Sequence, residues 1–333
     1  MRLSDPPTAP DMTWAVTMFS FTNELHERER TADELLRGVA SAAVADAVEV
    51  DAAQHFASFP AFARTEIDAF RRSIDASGLT PTMMGAYLDR RIDARGPRSM
   101  DDDLEMLSRQ AHAASVMGFF GIRISLGSVH AGLREQLLPD LERWGVRLLF
   151  EVQAGARPDS PAIDEIRRQR DKLDTDRIGF VFDTSLIMSA VPPTWREALL
   201  ADGVPDALLI EVEDLWQSHA SDGWRRTQDA IAGMSLPPAA IRRLEMPFRR
   251  FGCADIVDWD DFFDDVMSVH LKYWDLDERG RTADETRVVK DALRRHGYRG
   301  FVCSEWGGHD WLDSDTHPAL EMTRRHRALF DRV

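Results

Sequence analysis

The chain has 333 residues, 44% of them hydrophobic, enough for one large domain or two ordinary ones with a sizeable core. Acidic residues (57) outnumber basic ones (41), leaving a formal charge of −16. Nucleic acid and anionic membranes both demand a concentrated positive face, so this balance argues against either as a partner and for a small neutral or metal-assisted ligand. Cys253 and Cys303 are the two cysteines. They do not make a disulfide framework, and a reducing, cytoplasmic setting is expected. The opening MRLSDPPTAPDM is polar and proline-rich. It lacks the charged-then-apolar order of a signal peptide, and no apolar run approaches the length of a membrane span. Residues 1 to about 11 read as a flexible lead-in.

From there, short apolar runs alternate with helical patterns. Residues 14–22 (WAVTMFSFT) read as a strand, 31–47 as a helix with Thr31 as N-cap, and 47–51 (AVEVD) as a second strand. A helix over 59–78, closed by glycine, leads to a third strand over 79–89. The helix predicted over 99–118 is strong: Ser99 can cap it and three aspartates sit at its positive end. Strands follow at 121–127, 146–153 and 178–185, with helices at 131–145 and 160–174 between and after the first two. Residues 266–276 and 298–306 give strands seven and eight, with helices near 283–297 and at 317–333.

Eight strand–helix units are the pattern of a closed parallel (β/α)8 barrel, expected here as a single domain over 12–333. Residues 190–265 exceed an ordinary connection between strands six and seven. They are helical in pattern, hold Trp195, Trp216, Trp224 and Trp259, and read as an insertion that packs as a small helical subdomain and serves as a lid or partner surface.

Parallel barrel strands are buried on both faces, so polar residues in them are costly. Here they come late in four consecutive strands: Glu151 after Phe150, Asp183 after Phe182, His270 and Lys272 in strand seven, and Glu305 in VCSEWGGHDW. Three carboxylates and one imidazole without a thiol suit Mn²⁺, Mg²⁺, Co²⁺ or Zn²⁺. A divalent ion also makes their crowding tolerable. Gln153 shares a face with Glu151, Ser185 with Asp183, and Lys272 with His270. Lys272 reads either as a contact to a substrate oxygen and proton donor, or as the salt-bridge partner of one acid. Around the same mouth, TNELH supplies Asn23, Glu24 and His26. The third strand brings Tyr87 and Asp89, and the fourth is followed by Ser128 and His130. His26, His130 and His309 are candidates for substrate contact or proton transfer, or are surface and helix-entry residues. His309 stands out because Gly307 and Gly308 let the backbone pass close to a ligand.

Three runs, 178-IGFVFDTSLIM-188, 269-VHLKYWDLDERG-280 and 298-YRGFVCSEWGGHDW-311, resemble the xylose-isomerase-like barrel superfamily of sugar phosphate isomerases and epimerases. The resemblance covers about 14 to 330 and is nearest to the alpha subunits of C-glycoside deglycosidases, on the N-terminal SFTNE, the long helical insertion and the terminal SEWGGH. It implies a divalent metal, most often Mn²⁺, held by Glu151, Asp183, His270 and Glu305. It also implies proton abstraction beside a sugar carbonyl or hydroxyl. Glu151 and Glu305 then have possible base roles beside metal ligation, while Lys272 and His309 carry protons or contact oxygens. The deglycosidases act on a 3-oxo-glycoside, taking the proton at C2 and releasing the aglycone from C1 by β-elimination. Their alpha subunits work with a smaller, separately encoded beta subunit, and a homo-oligomer is equally compatible.

The chain departs from this pattern twice. Relatives often show Glu-x-His after strand five, whereas this chain has 151-EVQ-153, and Gln153 cannot act as a general base. Many epimerases show Asp-x-x-His after strand six, where Leu186 stands here. Three functions follow: a metal-dependent deglycosidase, a sugar isomerase or epimerase, and a non-catalytic sugar-binding or partner subunit. A nuclease of the same barrel class would need a basic groove and more histidines, which the composition opposes.

Overall fold

Eight parallel strands close into a barrel in chain order: β1 (Thr13–Thr17), β2 (Ala47–Asp51), β3 (Thr80–Gly85), β4 (Gly121–Ser125), β5 (Arg147–Val152), β6 (Ile178–Asp183), β7 (Val266–Tyr273) and β8 (Phe301–Trp306). The computed structural model describes residues 12–27, 29–88 and 98–333; the expected lead-in and Asp89 fall outside them. The barrel expectation is borne out. The strand ends differ. Thr17 accepts the Phe19 amide and ends β1 early, so Met18–Phe21 turn as a 3₁₀ helix and Thr22–His26 as a short α-helix. β3 likewise stops at Gly85, before Tyr87.

The helices follow local signals. Thr31 and Ser99 each form a capping box, with Glu34 and Asp102 returning to the cap, which starts the helices Ala32–Ser41 and Met100–Met117. Gly78, Gly118 and Gly145 end helices in the left-handed conformation that glycine adopts without strain. Phe21, Leu36, Ile67, Leu107, Leu137, Ile166, Val289 and Met322 join the strands' outward residues in one large core.

Inside the barrel, side chains change character with height. A layer of small residues, Ala15, Ala47 and Cys303, packs beside a plug of Met83, Leu149 and Val181. One step further along, the inward positions become Glu49, Gly85, Arg123, Glu151, Asp183, His270 and Glu305. Period-two alternation thus gathers these charges on the same side of an apolar floor.

Between β6 and β7 lie four helices, Pro193–Ala201, Asp206–Gln217, Gly223–Ile231 and Pro238–Arg249, then a 3₁₀ stretch, Ile256–Asp265. The helices surround a second core that includes Trp195, Trp216, Leu209, Leu244 and Trp274. Trp259 packs instead on Phe182 and Phe262 of the barrel core. The segment returns to the barrel at Gly252, whose amide donates to the Ser185 carbonyl at 2.6 Å. A Cβ on Gly252 would lie 2.6 Å from the Leu186 oxygen, so only glycine permits this close approach.

Candidate metal centre

Glu151, Asp183, His270 and Glu305 are all buried, and each offers one ligand atom within 4.8 Å of the others. Register explains the convergence: Asp183 pairs with His270 across β6 and β7, and Lys272 pairs with Glu305 across β7 and β8. His270 Nδ1 lies 3.0 Å from Glu151 Oε1 and 2.8 Å from Glu305 Oε2. Its Nε2 lies 2.9 Å from Glu49 Oε2. Asp183 Oδ1 accepts the Ser185 amide at 2.7 Å, while Oδ2 is buried without a hydrogen-bond partner. Lys272 donates to Glu305 Oε1 and stands 3.9 Å from Asp183 Oδ2.

The electrostatics follow from this crowding. Burial raises the Asp183 carboxyl to about 6 despite the attraction of Lys272. Burial also pushes Glu151 upward, but Arg123 and His270 outweigh it and hold the group at about 2. For Glu305, Lys272 and then His270 overcome burial and keep the carboxyl well below the usual range. His270 and Lys272 are pushed down by burial and up, more strongly, by the facing carboxylates. An orphaned carboxylate oxygen, three converging acids and an imidazole nitrogen between two of them fit a divalent cation with oxygen and nitrogen ligands.

The other sequence candidates scatter. Tyr87 reaches the mouth, its hydroxyl donating to Asp51 Oδ2 at the end of β2. His309 is half-buried, its ring 4.8 Å from Phe19 and 6.0 Å from Trp306, with Nδ1 lacking a partner. Burial lowers its pKa, with Lys272 and Arg250 adding to the shift. Asn23 donates to the Leu312 carbonyl at 3.4 Å, tying the segment after β1 to the one after β8. Gln153 is exposed just beyond β5.

Glu24 and His26 are not brought to this centre. The helical turn at Thr22–His26 swings Glu24 outward, where Oε1 accepts the Ala319 amide at 3.3 Å. Glu24 lines a separate cavity of about 430 Å³ with Arg30, Leu35, Glu321 and Arg324. His26 is exposed, and His130 caps the helix Ala131–Trp144, accepting the Leu133 amide at 3.3 Å. The glycine pair has a nearer reason than a ligand: a Cβ on Gly307 would meet the Trp274 indole at 2.6 Å, and one on Gly308 would collide with Trp306.

Sequence reasoning missed Glu49, Asp51, Arg123, Phe19 and Arg250. Arg123 donates to Glu49 Oε1 at 2.7 Å and to Glu151 Oε2 at 2.6 Å. Gly85 makes the room: a Cβ there would lie 3.0 Å from the guanidinium and 3.2 Å from Asp51 Oδ2. Charged residues in the middle of AVEVD and GIRIS were the available signal. Phe19 and Trp274 lie 5.1 and 5.5 Å from the Lys272 ammonium, giving its mouth side two aromatic walls. Arg250, from the segment between β6 and β7, binds Asp310 at 2.8 Å beside His309.

No family model matches the chain. Over 325 residues, 96% of this chain and 91% of the relative, it is 28% identical to a C-glycoside deglycosidase alpha subunit of Arthrobacter globiformis. It is also 28% identical over 335 residues to a 3'-dehydrocarminate deglycosidase alpha subunit of a Microbacterium species, covering 94% and 93% of the two chains. Among solved structures, D-psicose 3-epimerase of Clostridium cellulolyticum H10 with D-tagatose superposes with a TM-score of 0.56 at 13% identity, covering 96% of this chain and 98% of that one. The IOLI protein with a binding zinc atom gives 0.55 at 10% identity, covering 96% and 99%. The chain is therefore similar over nearly its whole length to C-glycoside deglycosidase alpha subunits, and it shares its (β/α)8 barrel fold with the D-psicose 3-epimerase and IOLI structures.

Proposed function

We propose that this chain is a sugar-processing enzyme, the alpha subunit of a divalent-metal-dependent deglycosidase. It takes the C2 proton of a 3-oxo-glycoside and releases the aglycone from C1 by β-elimination. The observation that carries this reading is the convergence of Glu151, Asp183, His270 and Glu305 within 4.8 Å, with the Lys272 ammonium on Glu305. The names of the relatives, alpha subunits of deglycosidases, support a glycoside substrate and a partner subunit, which we take to be a separate beta subunit.

Glu151, Asp183, His270 and Glu305 would hold the ion, Mn²⁺ first and Mg²⁺, Co²⁺ or Zn²⁺ as alternatives. Bound there, a divalent ion supplies Lewis-acid stabilisation of the negative charge that forms on the sugar oxygen. His309, neutral and with a free ring nitrogen, replaces as base the histidine absent at Gln153. The C2 proton passes to His309, the C2 electron pair forms the C1–C2 double bond, and the bond to the aglycone breaks. Lys272 supplies the proton that the departing aglycone takes up. Tyr87 and Gln153 orient hydroxyls at the rim, Phe19 and Trp274 exclude water from the ammonium, and the helices of 190–265 cover the mouth as an insertion within one barrel domain over 12–333. Among the described residues no helix is long and apolar enough to cross a membrane, and the two free cysteines suit a reducing, cytoplasmic compartment.

The test is a 3-oxo-C-glycoside incubated in D₂O with the chain, with and without chelator, followed by aglycone release and by deuterium at C2 of the glycoside recovered uncleaved. Both are expected with metal only, and Glu305→Gln should abolish both. Deuterium uptake in fully metal-free protein would sink the reading. Deuterium uptake with an epimeric sugar and no aglycone would move the chain to the isomerases and epimerases.

A further inference from the structure

Glu49 lies beside the four converging side chains, fully buried, and belongs to a strand that contributes no atom to their group. Its two oxygens have different partners. Oε2 faces His270 Nε2 at 2.9 Å, and Oε1 takes the Arg123 Nε–H at 2.7 Å. The same guanidinium reaches Glu151 Oε2 at 2.6 Å. Arg123 therefore ties a carboxylate outside the centre to one inside it.

A neutral imidazole has one N–H and one lone pair, and the bond made by one nitrogen decides what the other presents. An ionised carboxylate can only accept, so Glu49 requires the proton on Nε2. Glu151 and Glu305 make the same demand on Nδ1, at 3.0 and 2.8 Å, so an ion held among them would take the Nδ1 lone pair while Glu49 keeps the proton on Nε2. Without Glu49 the Nε2 proton loses its acceptor, and Glu151 and Glu305 are left to hold a proton on the nitrogen that faces the centre. Ligand histidines are commonly fixed in this way by a carboxylate on the far nitrogen, and loss of that partner costs about 10–100-fold in metal affinity.

We propose that Glu49, clamped by Arg123, is the positioning residue of the centre: it fixes His270 so that Nδ1, and not Nε2, is the metal-binding nitrogen. The proposal rests on the metal-centre reading above, and it adds a residue and a direction that neither the strand-end pattern nor the similarity to known deglycosidases supplies. It also assigns Glu49, His270 and Cys303, which lie within 4.8 Å of one another, to the support of one ion and not to a second ion of their own.

The experiment is Mn²⁺ titration of the metal-free full-length chain by calorimetry, with circular dichroism as the fold control, for the wild type, Glu49→Gln and Glu49→Leu. One ion per wild-type chain is expected. Glu49→Gln, a neutral acceptor, should bind about 10-fold more weakly, and Glu49→Leu about 100-fold more weakly. Unchanged affinity in a folded Glu49→Leu, or in Glu49→Gln if the leucine variant does not fold, overturns the proposal. So does a stoichiometry of two that falls to one in the variants, because Glu49 would then itself be a ligand. A wild type that binds no Mn²⁺, Zn²⁺ or Co²⁺ overturns the metal-centre reading instead. The tautomer gives an independent readout: long-range nitrogen-15 correlation on the Zn²⁺-loaded wild type should show His270 protonated at Nε2, and protonation at Nδ1 overturns the proposal.

Discussion

From β5 to β8, the barrel ends in Glu151, Asp183, His270, Lys272 and Glu305; from β1 to β4, it ends in Glu49, Asp51 and Arg123. The first half points three acids and an imidazole at one small volume and answers them with a single lysine. The second half contributes no atom to that group, yet it holds the far nitrogen of His270 and the far oxygen of Glu151. Identical strand geometry therefore produces two kinds of site residue. Those whose free atoms face the axis bind; those whose atoms are used up by one another position.

Arg123 is the bridge between the halves, so removing it tests the division most directly. Arg123→Met leaves Glu49 and Glu151 buried with one partner fewer each. An uncompensated buried charge costs about 3–5 kcal/mol, and urea denaturation of the metal-free protein should show a loss of that size. A loss below about 1 kcal/mol would mean that the two halves stand independently.

The second test stays within the catalytic half. His309→Gln should lower the rate of C2 deuteration by about 10²-fold, the usual share of a general base, while leaving Mn²⁺ affinity unchanged. The sign of its pH dependence is fixed by burial, which lowers the His309 pKa. A base must be unprotonated, so the acid limb of the rate profile should have its midpoint below the ordinary histidine value of about 6.5. The variant should lose that limb. A limb that persists in His309→Gln, or one centred above 6.5, assigns the base elsewhere.

The same division explains what could be read from the sequence. In β5, β6 and β8 an apolar run ends in one acid, so burial cost alone flags Glu151, Asp183 and Glu305. The eight-fold alternation gave the barrel because its period is carried by many residues at once. Glu49 and Arg123 gave a different signal, a charge in the middle of AVEVD and GIRIS and not at the end of an apolar run. Each sits mid-strand, and each is made affordable in part by the other, one strand away across β3 and 74 positions away in the chain. Glu24 misled for a local reason: the turn begun by Thr17 changes the period from two to that of a helix, and the side chain leaves the barrel face.

The smallest effect concerns the back of the catalytic half. Ser304 faces outward from β8, opposite Glu305, and its hydroxyl lies 2.9 Å from His326 Nδ1. His326 is 1% exposed and packs between Trp14 and Tyr273. Burial lowers its pKa to about 3. The unfolded chain takes up this proton near 6.5 and the folded chain does not, so stability falls as pH drops from 6.5 toward 3. Between pH 7 and 5.5 this one group should cost about 1 kcal/mol. Urea midpoints at the two pH values, compared with His326→Gln, isolate it, because the other groups titrate alike in both proteins. An equal pH response in the two would show that His326 shares its proton with the folded state.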